Sequence, residues 1–224
     1  MKAFIFAMAK EAKYLQEDTT LLATKKHGVA LFEKRKYEDK TFVLAISGIG
    51  KSLSAACMSA LPLLYSEVDA VLNFGVSGSL SEILLPPFTY FAPTSFVNYD
   101  IDTTAFGDER GLFFNPNRIY FDSDLALHNL LLLKLRGENI VTEGVEVAGD
   151  IFIGDEAKKD FLRKEWKALG CDMESASLAS VSCGLNLPFS ALRLISDSSN
   201  SSDEYEQNFD RCARMLRDSA LKLL

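Results

Sequence analysis

Residues 42–61, FVLAISGIGKSLSAACMSAL, place a short apolar run, a glycine-containing turn and a helical pattern in direct succession. An apolar run of this length is typical of a strand that is covered on both faces of a sheet. Beyond the turn, one face of the predicted helix carries Leu53, Ala56, Cys57, Ala60 and Leu61. Pro62 is expected to interrupt that helix. The stretch thus predicts a strand–turn–helix unit, from which α/β folds are built.

Similar signals recur along the chain. Three more apolar runs predict buried strands: AFIFAM (3–8), AVLNFG (70–75) and FSALRLI (189–195). After the last run, one helical stripe carries Phe209, Cys212, Ala213, Leu216, Ala220 and Leu223. Two further helices are predicted at 123–136 and 155–169, because each begins on an N-cap residue and is followed by glycine, Gly137 or Gly170.

This alternation predicts one α/β domain over residues 1–224, a three-layer sandwich in which helices flank a central mixed β-sheet. The stretch at 80–120 contains PPF, FAP and NPN, which predict hairpins and loops inserted into that plan. No repeat, low-complexity tract or linker divides the chain.

Charge and composition exclude several partners. The net charge of −7 disfavours a nucleic-acid backbone or an anionic membrane surface. No apolar stretch approaches the roughly 18 residues of a membrane span. The N-terminal stretch MKAFIFAMAKE becomes charged again at Lys10. This apolar run is too short for a signal peptide, so the stretch predicts a first strand.

The cysteines and histidines indicate a cytoplasmic protein with no metal and no other cofactor. The four cysteines show no C-x-x-C pairing and are expected to be free thiols in a reducing compartment. Two histidines, His27 and His128, are too few for a multi-histidine metal site, and a histidine-based triad is not expected.

Carboxylates and glycines collect where predicted strands end. Glu11, Glu174 and Asp197 each follow an apolar run or open a helix, and glycine turns occupy 48–50 and 76–79. Alone, the acids suit helix first turns or N-caps, and the glycines suit plain turns. Ligands of open α/β sheets bind outside the carboxyl ends of the strands. Their convergence therefore favours a small-molecule site at this edge.

Seven motifs, in this order, resemble the nucleoside phosphorylase/nucleosidase superfamily: AMAKEA, SGIGK, NFGVSGSL, DTTAFG, AGDIFI, DMES and RLISD. Each is weakly specific alone, but the ordered set covers nearly the whole chain. The set is most similar to bacterial 5′-methylthioadenosine/S-adenosylhomocysteine nucleosidases. The resemblance implies a nucleoside phosphorylase-like sandwich that cleaves the N-glycosidic bond of a 5′-thioadenosine nucleoside with water, releasing adenine and a thioribose.

The resemblance also implies roles for charged residues. Asp197 of the S-D motif would protonate adenine N7, and Glu11 would accept a proton from the attacking water. Glu174 would hold the ribose hydroxyls. Arg193 would order the water and its carboxylate neighbours, and an arginine inside an apolar strand needs an anionic partner in any case.

Other positions would shape the pocket. The resemblance implies that Met173 packs on the sugar, Phe152 stacks on adenine and the backbone of Ile153 reads its edge. Alone, these three would be ordinary core residues. The remaining wall residues would be Met8, Ile49, Val76, Ser77, Gly78 and Ser196.

The segment at 96–116, FVNYDIDTTAFGDERGLFFNP, predicts a subunit interface. Its aromatic residues are Phe96, Tyr99, Phe106, Phe113 and Phe114. Aromatic enrichment is typical of interface cores, and packing into the chain's own core is the alternative. Through D-T-T-A-F, the resemblance implies a homodimer in which Phe106 reaches the 5′ group bound by the other subunit.

Several features leave alternatives open. Val76 stands where some relatives have serine, and Asp172 replaces an acid that is often glutamate. Either Tyr205 or Phe209 fits the aromatic residue that covers the 5′ substituent. Methylthioadenosine, adenosylhomocysteine, 5′-deoxyadenosine and aminodeoxyfutalosine therefore all remain candidate substrates.

Two other functions are compatible with the sequence. A nucleoside phosphorylase would hold phosphate with Lys10 or Lys51, although Glu11 would then face that anion. A non-catalytic nucleoside-binding protein would keep the purine pocket but has no need for both Glu11 and Asp197.

Overall fold

A ten-stranded mixed sheet forms the centre of the computed structural model, which describes residues 1–81, 83–137, 139–197 and 202–224. The strands are β1 (Lys2–Phe6), β2 (Thr20–His27), β3 (Ala30–Tyr37), β4 (Lys40–Ile46), β5 (Ala70–Ser79), β6 (Tyr90–Asn98), β7 (Phe113–Phe114), β8 (Asn117–Arg118), β9 (Phe121–Asp122), β10 (Val141–Ala148), β11 (Ala168–Asp172) and β12 (Phe189–Asp197). The α-helices are α1 (Ala9–Glu17), α2 (Lys51–Leu64), α3 (Leu125–Leu135), α4 (Glu156–Trp166), α5 (Ser175–Leu185) and α6 (Ser202–Lys222), and a 3₁₀ turn spans Thr104–Phe106.

The order of strands along the ten-stranded sheet is β11-β10-β6-β12-β5-β1-β4-β3-β2, with β9 beside β6, and β7 and β8 pair in a separate two-stranded sheet. Strands β4, β1, β5 and β12 run parallel, while β6 lies antiparallel to β12. Strand β11 pairs with β10 on one side and, through Gly170 and Cys171, with β5 on the other. This second pairing closes β5, β12, β6, β10 and β11 into a five-strand ring.

Helices cover both faces of the sheet, which confirms the predicted three-layer sandwich. On one face, α1, α3 and α6 pack on Phe4, Phe6 and Phe74. On the other face, α2 and α5 pack on Ile5 and Val71. Because both faces are covered, β1, β4, β5 and β12 read as continuous apolar runs in the sequence.

Several element boundaries predicted from the sequence are wrong. The run at 3–8 ends as a strand at Phe6, and the run at 70–75 continues to Ser79. Helix α2 passes through Pro62 to Leu64, because proline near a helix end removes only one N–H and Tyr65 beyond it is anchored in the core.

The prediction that Gly170 closes a helix at 155–169 is also wrong. Helix α4 ends at Trp166, where Lys167 adopts a left-handed conformation with φ of 55°. Gly170 instead lies inside strand β11, where a Cβ atom would approach Phe91 Cε1 to 2.8 Å and Ser77 Oγ to 3.0 Å. Glycine at this position reflects close packing inside the ring rather than a helix stop.

The stretch at 80–120 contains a central strand as well as loops. Strand β6 includes Pro93. In a sequence, a proline argues against a central strand, because it has no N–H to donate to a neighbouring strand. The register with β10 shifts between Gly144 and Val145, next to the pair formed by Gly144 and Pro93. This irregularity accommodates a residue that has no N–H to donate.

Two further observations concern the cysteines and the helices. All four cysteines are free thiols. Within the ranges given above, none of the helices combines the length and the apolar character that crossing a bilayer requires.

Candidate active site

A cavity of about 390 Å³ opens where β1, β5, β11 and β12 end. Twelve of the fourteen site residues predicted from the sequence line it: Met8, Glu11, Ile49, Val76, Ser77, Gly78, Phe152, Ile153, Met173, Glu174, Ser196 and Asp197. Arg193 lies beneath the cavity, and Phe106 lies outside it. The convergence expected at the carboxyl edge of the sheet is therefore present.

Glu11 occupies the first turn of α1 and is 3% exposed. Its two carboxylate oxygens accept hydrogen bonds from separate backbone N–H groups, Oε2 from Met8 at 2.9 Å and Oε1 from Val76 at 3.1 Å. These bonds fix the carboxylate at the cavity wall. Burial raises the pKa of Glu11 above its usual range, which makes the carboxylate a stronger base.

Asp197 is the last residue of β12 and is 3% exposed. Its Oδ1 accepts a hydrogen bond from Ser196 Oγ at 2.7 Å. Its Oδ2 lies toward Gly78, where a Cβ atom would come within 3.4 Å. Burial raises the pKa of Asp197, and this shift favours the protonated form that a general acid needs.

Glu174 stands at the N-terminus of α5, directly after β11. Its Oε1 accepts a hydrogen bond from the backbone N–H of Gly50 at 2.8 Å. Gly48 and Gly50 have φ angles of 87° and 95°, which only glycine adopts readily, so this turn can bring its N–H groups to the carboxylate. Burial, followed by the nearby charge of Asp172, raises the pKa of Glu174 to about 8.

Arg193 is 2% exposed and forms an ion pair with Asp172 at 2.6 Å. Asp172 is therefore the anionic partner that an arginine inside an apolar strand needs, and the same guanidinium also donates a hydrogen bond to Asn73 Oδ1. A Cβ atom on Gly75 would lie 2.6 Å from Arg193 Nη1 and 3.1 Å from Glu11 Oε1. Gly75 therefore lets the guanidinium approach the Glu11 carboxylate beneath the cavity.

The mouth of the cavity carries exposed apolar and aromatic groups. Ile151 and Phe152 are 56% and 54% exposed. Of the two aromatic candidates in α6, Tyr205 lines the cavity and Phe209 packs behind it, with ring centres 5.5 Å apart. Residues 198–201, which join β12 to α6, lie outside the described residues.

Five other lining residues were missed in the sequence: Ala7, Ile151, Cys171, Asp172 as a wall residue, and Glu206. Ala7, Ile151 and Cys171 flank motifs already singled out, so position beside those motifs was the available signal. Glu206 had no sequence signal, because only the docking of α6 against the sheet brings it to the cavity.

The fold and this cavity define an α/β protein with an acid-lined pocket for a small molecule at the carboxyl edge of its sheet. The family model of the phosphorylase superfamily matches residues 2–224, and the chain belongs to that superfamily.

The chain is similar in sequence to several bacterial nucleosidases. The chain is 34% identical to the aminodeoxyfutalosine nucleosidase of Campylobacter jejuni, over 91% of this chain and 88% of that protein. It is 33% identical to the 5′-methylthioadenosine/S-adenosylhomocysteine nucleosidase of Haemophilus influenzae strain PittEE, over 85% of this chain and 83% of that protein. The crystal structure of the Campylobacter jejuni 5′-methylthioadenosine/S-adenosylhomocysteine nucleosidase matches with a TM-score of 0.90 and 31% identity, covering 99% of this chain and 97% of that one.

Glu174→Gln is expected to raise the melting temperature near pH 8 and to leave it unchanged near pH 4. Between the ordinary pKa of 4.5 and the folded value of about 8, the unfolded chain releases a proton that the folded chain keeps. The free energy of unfolding therefore falls as pH rises through this window. Glutamine removes that loss and keeps an oxygen for the Gly50 N–H.

We expect a gain of at least ~2 °C near pH 8, the lower end of the shift that 1 kcal/mol gives in a chain of this size. Thermal unfolding of both proteins from about pH 4 to pH 8 measures the difference, and the pH 4 point is the control. Equal melting temperatures throughout would contradict the raised pKa of Glu174.

Proposed function

We propose that residues 1–224 form one nucleosidase domain that hydrolyses the N-glycosidic bond of 5′-substituted adenosines, releasing adenine and the 5′-substituted ribose. Methylthioadenosine and adenosylhomocysteine are the proposed main substrates, with 5′-deoxyadenosine and aminodeoxyfutalosine as further candidates. The observation that carries the proposal is the presence of two buried carboxyl groups, Glu11 and Asp197, on separate walls of one cavity. The nucleosidase names of similar proteins support it.

Cleavage of this bond leaves positive charge on the ribose and negative charge on the purine. Asp197 transfers its proton to adenine N7, so that adenine leaves as a neutral base when the bond between C1′ and N9 breaks. A water oxygen then bonds to C1′, and Glu11 accepts the proton that this water loses. The raised pKa values of both groups support these two roles.

The other lining residues bind the substrate in this proposal. Glu174 accepts hydrogen bonds from the ribose hydroxyls, and Met173 packs on the sugar. Phe152 stacks on adenine, and the backbone of Ile153 contacts the edge of the base. The remaining contacts to the purine and the water come from Val76, Ser77, Gly78, Ser196 and, from beneath, Arg193.

At the 5′ end, Met8 and Ile49 provide an apolar wall that a partner subunit completes with Phe106. Three features support a homodimer. Phe106 is 87% exposed and lies outside the cavity of its own chain. Ile49 is half exposed at the cavity, and the nearby Leu53 on α2 is also exposed. The proposal includes a cytoplasmic site of action, which the free thiols support.

A phosphorylase would need a cation to hold phosphate. The two candidate lysines, Lys10 and Lys51, both make other contacts. Lys51 forms an ion pair with Asp100. Lys10 lies over the Phe209 ring, 4.0 Å from its centre, and also contacts Tyr205. Neither lysine lines the cavity, whereas Glu11 does. This distribution of charge favours water over phosphate as the nucleophile.

Adenine release from methylthioadenosine is expected to proceed equally with and without inorganic phosphate. Product analysis should give the free 5-methylthioribose in both cases, because water supplies the new oxygen. A sugar 1-phosphate product would assign the protein to the phosphorylases, and absence of any turnover across a panel of 5′-substituted adenosines would leave only nucleoside binding.

Asp197→Asn is expected to lower kcat for adenine release by at least ~10²-fold, the usual contribution of general acid catalysis. Asparagine keeps the shape and the contact with Ser196 but has no proton to transfer. Steady-state kinetics measure the loss, and Asp39→Asn, at an exposed turn, is the matched control. A kcat near that of the control would remove Asp197 from this role.

Phe106→Ala is expected to raise KM for methylthioadenosine while changing KM for adenosine much less. An apolar contact to the thioether is worth ~1–3 kcal/mol, roughly 10–200-fold in specificity. Leu133→Ala, at an exposed leucine of α3 outside this segment, is the matched control. Light scattering on the same samples must show a dimer, and an active monomer would refute the shared pocket.

A further inference from the structure

Glu146, on β10, is a completely buried acid inside the five-strand ring, directly under the cavity. Its Oε1 lies 2.7 Å from Ser77 Oγ, and its Oε2 is buried without a hydrogen-bond partner among the residues that the structure describes. The proposed reaction gives this residue no role. Gly170 makes room for it, because a Cβ atom there would collide with Oε2.

The hydrogen bonds of Ser77 determine the protonation state of Glu146. Ser77 Oγ lies 2.7 Å from Glu146 Oε1 and 2.9 Å from the carbonyl oxygen of Cys171. A hydroxyl carries one proton, and a carbonyl oxygen only accepts. Both short distances are hydrogen bonds only if Ser77 donates to Cys171 and Glu146 donates to Ser77. That arrangement requires a protonated Glu146.

Arg193 provides independent support. Its Nε lies 3.9 Å from Glu146 Oε1 and has no hydrogen-bond partner within the described part of the chain, while its Nη2 donates to Asp172 Oδ2 at 2.6 Å. An ionised Glu146 would pair with the free Nε–H at ~2.7–2.9 Å, the usual length of a charge-assisted bond. The longer distance from Nε to Glu146 Oε1 is the one expected of a neutral carboxyl group. Arg193 then forms its ion pair with Asp172.

The charged and titratable groups that face Glu146 agree with this assignment. They are Asp172 and Cys171 on β11 and Arg193 on β12. Burial, and then the negative charge of Asp172, raise the pKa of Glu146 well above its ordinary value of 4.5. Arg193 acts in the opposite direction but is already paired.

We propose that Glu146 is a positioning residue: a neutral carboxylic acid that donates to Ser77 and thereby holds the Ser77 hydroxyl and the Cys171 carbonyl in place at the cavity floor. This inference rests on the proposed function for its kinetic readout. Loss of the proton from Glu146 would leave one of the two contacts of Ser77 without a hydrogen. It would also draw Arg193 away from Asp172.

The test compares Glu146→Gln, which keeps a neutral donor, with Glu146→Leu, which keeps the volume but no donor. Glu146→Leu is expected to lower kcat/KM for adenine release from methylthioadenosine about tenfold, the usual effect of an unsatisfied buried polar group. Glu146→Gln is expected to remain within about threefold of wild type. Equal loss in both variants, or no loss in either, would overturn the proposal.

Difference infrared spectroscopy near pH 7 gives a readout that does not depend on activity or substrate. Glu146→Gln should remove one protonated-carboxyl C=O band from the wild-type spectrum. The matched control is Glu143→Gln on the same strand. Glu143 bonds His128 and Arg136, which lower its pKa, so this control should remove a carboxylate band instead.

Loss of a carboxylate band in Glu146→Gln would show an ionised Glu146 and overturn the proposal, even if Glu146→Leu does not fold. A correct infrared result with no nucleosidase turnover in the wild type would instead refute the proposed function alone.

Discussion

The ion pair between Arg193 and Asp172 crosses the inside of the five-strand ring and joins β12 to β11, two strands that do not pair with each other. Both side chains are almost completely buried, and removing one partner of such a pair leaves an uncompensated charge that costs ~3–5 kcal/mol. The surrounding residues accommodate this one charge. Gly75 and Gly170 have no side chain to obstruct the polar groups, and Asn73 supplies a further acceptor.

The position of the buried Arg193 charge also helps to explain how the carboxyl groups within one site differ. Asp172 takes the direct contact with Arg193. Glu11 lies near the same guanidinium and accepts hydrogen bonds from two backbone N–H groups, whereas Glu174 and Asp197 each accept one hydrogen bond. Burial raises the pKa of all three groups, but their charged forms are stabilised to different extents, and an acid–base reaction uses such differences.

Short-range signals predicted much of this structure. The apolar runs, the glycine turn at 48–50 and the acids at strand ends were visible because each depends on neighbours in sequence. The closure of the ring was not, because the pairing of Gly170 and Cys171 with β5 joins segments about ninety residues apart. The sequence predicts a helix stop at Gly170 for the same reason, because the constraint on Gly170 is the packing of Glu146 and Phe91.

The closed ring also determines where this sequence is free to diverge. Its interior is filled by side chains that hold one another through specific bonds, so a single replacement there disturbs several partners at once. The rim at Ile151, Phe152, Tyr205 and Glu206 is attached to the ring by loops and by the start of α6, and two of these residues are more than half exposed. We therefore expect replacements at the rim to alter the mouth of the pocket while the ring and the buried carboxyl groups that it holds stay in place.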